Sequence, residues 1–315
     1  MSVATAVPLP GKSTLDRSPD TIPADGTTAS TLKLTLHDAL DNPVKGQTVE
    51  FVSDKETVGA TTDNHDGTYT APLTAAAGVP GTANISVKVG GNVFGSLKTT
   101  VTLSSIAILK DISVNGYVFN KAAGFPSTGF KGAKFTLNLE KGSPSDFAWS
   151  ADVPWVSVSG GVVTFTGAGD GSQVTVTGTP KSGGNKITYS FKLNGWYVNH
   201  GRTLTDFPGA NTSCQAGYTL PAAKKLNGNP GHNSALTRFD GVRGTIGGVW
   251  SEWGDLSKYS GAGFVNVYYW TKDNDATHSD PAHFIVSLGD GTVFRSNDDN
   301  DGHSGAVYTV CRKDF

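Results

Sequence analysis

The chain has 315 residues, enough for two or three domains at roughly 100–200 residues each, and its 37% hydrophobic and 17% charged content lets it bury real cores. Of its 27 acidic residues 23 are Asp and 4 are Glu, while Gly numbers 40 and Pro 15; turn formers abound, helix formers are scarce, and a helical bundle or coiled coil is excluded. A net charge of −2, with no third of the chain strongly basic, argues against a nucleic-acid-binding surface. No apolar run approaches the ~20 residues of a membrane span, so this stretch is expected not to cross one. The opening MSVATAVPLPGK lacks the basic and apolar regions of a secretory leader. The chain therefore reads either as cytosolic or as part of a longer protein. Cys214 and Cys311 fit no metal or redox spacing; they are two buried thiols or, the favoured reading, a long-range disulfide, which implies an oxidising compartment and the second choice.

Strand signals begin at Thr31–His37, where Leu32, Leu34 and Leu36 alternate with Thr31, Lys33, Thr35 and His37. Thr48–Val52, Thr68–Ala71, Asn84–Val89 and Leu97–Leu103 follow, separated by the turn Asp41-Asn42-Pro43 and the hairpin signal Asp66-Gly67. Strict alternation leaves one face buried and the other solvated, as each sheet of a sandwich requires. The stretch Asp38–Phe51, followed by Ala60-Thr61-Thr62-Asp63 and Asp66-Gly67-Thr68-Tyr69, resembles the bacterial Ig-like repeat of intimin- and invasin-type adhesins. Within it, Gly46 permits a tight return, and Val49 and Phe51 are expected to pack inward.

Alternation resumes at Asp111–Val114 and Lys134–Leu139, with further strands expected at Trp155–Ser159, Val162–Phe165, Val174–Thr177 and Ile187–Leu193. This is a second sandwich, and Trp149-Ser150-Ala151-Asp152 with Trp155–Val158 resembles another Ig-like module of the same class. Trp149 and Trp155 read as packing residues. Neither junction, Thr102–Ile108 or Lys192–Val198, has the composition of a flexible linker. Consecutive stiff modules are expected, with further ones upstream of the spacer-like Val7–Gly11.

The last third holds four of the six Trp, five of the seven His and both Cys. A helix is expected over Leu220–Leu226, stopped by Asn227-Gly228, and strands over Gly263–Trp270, His283–Ser287, Thr292–Arg295 and Val307–Arg312. Trp196 and Tyr197 are expected to pack against the preceding sandwich, and Trp250 and Trp253 to be core and rim. The order Cys214–Ala223, Trp250-Ser251-Glu252-Trp253-Gly254, Tyr269-Trp270 and Val310-Cys311 resembles the C-terminal domain of intimin and invasin. That resemblance implies a C-type-lectin-like fold, a Cys214–Cys311 disulfide and a role as the tip that meets a host receptor. The calcium triplets of sugar-binding lectins are missing: Ser279-Asp280-Pro281 and Trp270–Asp273 are the nearest approaches. Asn297, Asp299 and Asp301 follow the first half of an EF-hand-like loop, but Tyr308 stands where the bidentate Glu belongs, so they form only a weak calcium candidate.

Three modules result, 1–103, 104–193 and 194–315: mainly β, two tandem Ig-like β-sandwiches followed by a mixed α+β C-type-lectin-like domain. The chain lacks HExxH, GxSxG and a phosphate-cradling Gly-rich loop, so neither an enzyme nor a cofactor is expected. Exposed polar loops on a rigid scaffold carry recognition. The receptor-binding candidates are accordingly Asp273, Asn274, Asp275 and His278 in one loop and Arg295, Asp298, Asp299 and Asp301 in another. The resemblance implies the extracellular part of an outer-membrane inverse autotransporter whose partner is a host cell-surface receptor, protein before glycan. Glycan binding and self-association between bacteria are the alternatives.

Overall fold

Alternation makes the first hundred residues a sandwich. In Ala29–Thr35, Ser30, Leu32 and Leu34 are buried while Thr31 and Lys33 face water. This strand lies between Thr14–Ser18 and Thr68–Thr74, pairing Leu32 with Ala71 and Leu34 with Tyr69. The opposing sheet runs Thr21–Pro23, Asn92–Ser104, Gly81–Val89, Val49–Ser53. Val49 and Phe51 point inward as expected, joining Leu32, Leu34, Tyr69, Ile85 and Val101 in one core. The strand expected from Leu97 starts at Asn92, because Gly90 and Gly91 both take positive φ and close the hairpin early. The computed structural model describes residues 6–201, 207–229, 238–275, 282–296 and 307–315. Its contacts gather into two units: Met1–Ile108, Lys141–Ala148 and Thr179–Lys186 form one, and Leu109–Glu140, Trp149–Gly178 and Ile187–Phe315 the other.

The excess of Asp has a local cause. An Asp side chain is short enough to accept from amides two to four residues ahead, which ties off a turn. Asp25 accepts from Thr27 N at 2.8 Å and Thr28 N at 2.6 Å, Asp38 from Leu40 N and Asn42 N at 2.9 Å, and Asp66 from Thr68 N at 2.9 Å. The Thr28 hydroxyl and amide, the Asn42 amide and the Thr68 hydroxyl respectively hold these carboxyls below the ordinary aspartate value. A depressed carboxyl contributes stability above its unfolded pKa and loses it as pH falls through the folded one. Calorimetry should therefore show the first unit melting lower at pH 2.5 than at pH 7. Combined Asp25→Ala, Asp38→Ala and Asp66→Ala substitutions should narrow that gap.

In the second unit, a five-stranded sheet runs Tyr117–Asn120, Ile108–Val114, Lys134–Lys141, Val162–Phe165, Val156–Ser159. The three-stranded sheet Phe147–Ala151, Gln173–Pro180, Ile187–Lys192 shares a core with it, where Val176 and Phe191 join Ile112, Phe135 and Val163. Two residues later the chain re-enters a strand, Gly195–Asn199, which pairs parallel with Thr128–Phe130 and antiparallel with Val310–Asp314. Trp196 and Tyr197 are thereby buried, with Trp196 beside Phe165 and Trp155.

Among the described residues, the remainder holds a five-stranded sheet and three short α-helices: α1 Phe207–Ser213, α2 Ala223–Asn227 and α3 Val249–Trp253. The sheet order is Arg238–Phe239, Val293–Arg295, Ala282–Ser287, Tyr268–Asp275, Val307–Tyr308. Helix α2 overlaps the expected segment, starting three residues later and taking in Asn227 before Gly228 ends it. Two helices escape sequence reasoning: α1 is poor in helix formers, and α3 is a single turn of VWSEW. The strand expected over Gly263–Trp270 is corrected to Tyr268–Asp275. Gly261 and Gly263 take positive φ, and the Tyr269 hydroxyl accepts from Val265 N at 3.0 Å, which holds the preceding segment irregular. The expected strand Val307–Arg312 is two, Val307–Tyr308 and Val310–Asp314, each in a different sheet. Among the described residues, no helix is long and apolar enough to cross a membrane.

Candidate functional site

The last third is held by a buried carboxylate. Glu252, in α3, is fully buried and accepts five hydrogen bonds. Ser127 Oγ at 2.6 Å and Gly247 N at 2.7 Å reach Oε1. Ser127 N at 3.0 Å, Thr128 N at 3.0 Å and Thr128 Oγ1 at 2.8 Å reach Oε2. Burial pushes this carboxyl above the ordinary glutamate value, while the Ser127, Gly247 and Thr128 donors pull it back. Ser127 and Thr128 belong to the strand-entry segment of the second sandwich, so α3 is anchored there.

Trp253 completes the anchor. Its indole is fully buried, donates to Thr128 O at 3.1 Å, and lies 5.0 Å from Phe125, 5.5 Å from Phe130 and 5.6 Å from Phe165. One apolar core therefore runs from Phe135 and Val176 through Trp253 to Tyr269 and Val286. Arg243 clamps the same joint, donating to Ser251 O at 2.8 Å and Val114 O at 3.2 Å with its guanidinium over the Tyr117 ring. Asn115 Nδ2 adds bonds to Trp253 O and Asp255 O, both at 3.1 Å. Glu252 is one of only four glutamates and stands between two tryptophans. That setting is the one sequence signal pointing to it.

Cys214 and Cys311 are bonded, with Cα atoms 5.6 Å apart across a separation of 97 residues. The bridge ties the segment after α1 to the final strand, where Cys311 pairs with Val198.

The four receptor-binding candidates among the described residues, Asp273, Asn274, Asp275 and Arg295, lie in one sheet. Asp273, Asn274 and Asp275 lie in Tyr268–Asp275, where the sequence suggested a loop; Asn274 pairs with His283 and Asp275 with Ala282. Asn274 is exposed. The Asp273 carboxylate accepts from Ala223 N at 2.8 Å, holding the start of α2. Arg295 ends the strand Val293–Arg295. His278, Asn297, Asp298, Asp299 and Asp301 lie outside the described residues. Among the described residues, no three His, Cys, Asp or Glu side chains converge as metal ligands would.

Two Ig-like sandwiches leading into a C-type-lectin-like domain define the architecture of bacterial surface adhesins. Residues 9–105 match the family model of invasin domain 3, and residues 110–191 that of invasin domain 4. The chain is 33% identical over 324 aligned positions to the inverse autotransporter adhesin YeeJ of Escherichia coli strain K12, covering 96% of this chain and 13% of that protein. It is 30% identical to Invasin of Yersinia enterocolitica over 275 positions, 82% of this chain and 30% of that protein. It thus spans under a third of either relative's length. Its fold matches crystal structures of invasin, described as a bacterial integrin-binding protein, and of a C-terminal intimin fragment in complex with the intimin-binding domain of the translocated intimin receptor. The TM-scores are 0.54 and 0.58, the identities 23% and 18%, the coverage of this chain 99% and 95%, and of those chains 81% and 98%. The chain belongs to the invasin and intimin family of inverse autotransporter adhesins. Its place is the bacterial surface, in the extracellular portion of an outer-membrane protein.

Proposed function

We propose that this chain is the receptor-binding part of its adhesin. The Ig-like modules, 1–103 and 104–193, carry a lectin-like domain, 194–315, that binds a protein on the host-cell surface. The observation that supports this most directly is the identity to Invasin, which extends over 82% of the chain. The anchoring of α3 agrees with it. A recognition surface held by a buried carboxylate and a shared aromatic core is preorganised, and binding then costs little ordering. Many copies on one cell would turn modest single-site affinity into firm attachment.

The test is binding of the whole chain to cultured mammalian cells by flow cytometry. Binding should saturate, disappear when the cells are treated with protease, and survive periodate and EDTA. Loss after periodate would instead make the domain a glycan lectin, and loss with EDTA would make it metal-dependent. Binding only between tagged and untagged bacteria would make it a self-association module.

A further inference from the structure

Lysines collect around α2 with no counter-ion among the described residues. Lys224 and Lys225 lie on the helix, and Lys272 is bound to the segment just before it through Lys272 N to Pro221 O at 3.0 Å. Among the described residues, no carboxylate lies within ion-pair distance of any of the three. The neighbouring carboxylate, Asp273, is turned to the Ala223 amide. The remaining cation, Arg312, is buried against Tyr197 and paired with Asp314. Burial first, then the charges of Arg312, Lys224 and Lys272, hold the Lys225 ammonium below the ordinary lysine range. Like charges gathered this closely repel one another, and an incoming anion relieves the repulsion.

A cavity opens at the same place. It measures about 260 Å³ and is lined by Lys224, Lys225, Gly228, Thr245, Ile246 and Gly247. Gly228 takes φ +75° and Gly248 approaches it so closely that a Cβ on either would meet the other loop or Ser251. Small residues therefore keep the floor of the cavity thin. Ile246 supplies an apolar wall, and the Thr245 hydroxyl makes no hydrogen bond to the described residues. Among the described residues no arginine lines the cavity, so they do not supply the planar fork that reads phosphate bidentately. Two ammonium groups, a hydroxyl and one aliphatic wall fit a carboxylate on a short methylene stem.

We infer that the cavity formed by Lys224, Lys225, Thr245 and Ile246 is a docking site for an acidic side chain, Glu or Asp, on a peptide segment of the receptor. The inference rests on the receptor reading above and adds the chemistry of the partner and the place where it docks. Electrostatic capture of this kind speeds encounter and weakens with salt.

The probe is fluorescein-labelled poly-L-glutamate, titrated with the full chain and followed by anisotropy at 20 and 150 mM salt. Wild type should bind, more weakly at the higher salt. Lys224→Gln/Lys225→Gln should bind at least tenfold more weakly. Lys121→Gln/Lys192→Gln, which removes two lysines from a separate cavity on the second sandwich, should stay within twofold. All three proteins should melt together. Equal weakening in both double variants, or none in the first, overturns the inference.

The cell assay separates this idea from the reading beneath it. Wild type and Lys224→Arg/Lys225→Arg should bind cells alike, and the Gln pair should lose at least tenfold. If wild type and the Gln pair bind cells equally, the receptor reading stands and the docking site falls. If wild type binds no cells, the receptor reading falls, and with it the assignment of the ligand to a receptor.

Discussion

Glu252→Ala should cost the second unit about 3–5 kcal/mol of unfolding free energy, because it leaves several buried donors without an acceptor, each worth roughly 1–3 kcal/mol and not additive. The cost comes from what stays behind. Ser127 N and Thr128 N lose their acceptor in a fully buried site and Gly247 N loses its own at the part-buried margin. Glu252→Gln is the informative comparison. Its amide nitrogen would face either the Ser127 hydroxyl and the Gly247 amide or three donors from Ser127 and Thr128, so about 1–3 kcal/mol should be lost although shape is kept. Thermal or urea unfolding followed by tryptophan fluorescence reads the difference directly, since Trp253 sits one residue away. An Ala variant as stable as wild type would show that α3 is not the anchor described above.

The same residue marks the limit of what the sequence could disclose. Period-two alternation exposes a strand and its buried face, so Leu32, Leu34, Leu36, Val49 and Phe51 were legible as core. Turn residues were legible for the same reason, because Asp38 and Asp66 act on amides within four positions. Four of the five bonds to Glu252 come from Ser127 and Thr128, 125 and 124 positions away, and no local pattern carries a distance of that kind. The change of composition near residue 194 was equally plain. That Phe125, Phe130 and Trp253 share one core was not, because it depends on a parallel pairing between Thr128–Phe130 and Gly195–Asn199. The charge of the α2 cavity was hidden differently. Lys224 and Lys225 look like an ordinary solvated helix face until the fold brings Lys272 and Arg312 near them.

Removing the bridge should have an effect as large as removing the carboxylate. The closed loop spans 97 residues, and on the chain-entropy account a loop of that length contributes roughly 4–5 kcal/mol by restricting the unfolded chain. For a unit of about 200 residues, that lowers the melting temperature by on the order of 10 °C. The double variant Cys214→Ala/Cys311→Ala should show this in calorimetry, and dithiothreitol should reproduce it in the wild type while leaving the variant unchanged. The loss should fall on the second unit alone, since both cysteines belong to it. It should also reach function. The final strand Val310–Asp314 lies beside Gly195–Asn199 and bonds to Thr219, just before α2. Loosening that strand therefore loosens the scaffold of the lysine cavity. Cell binding of the reduced protein should weaken at temperatures where it is still folded, and weaken further as its melting point is approached. If binding were untouched by reduction up to the melting point, recognition would have to rest on a surface that the bridge does not brace.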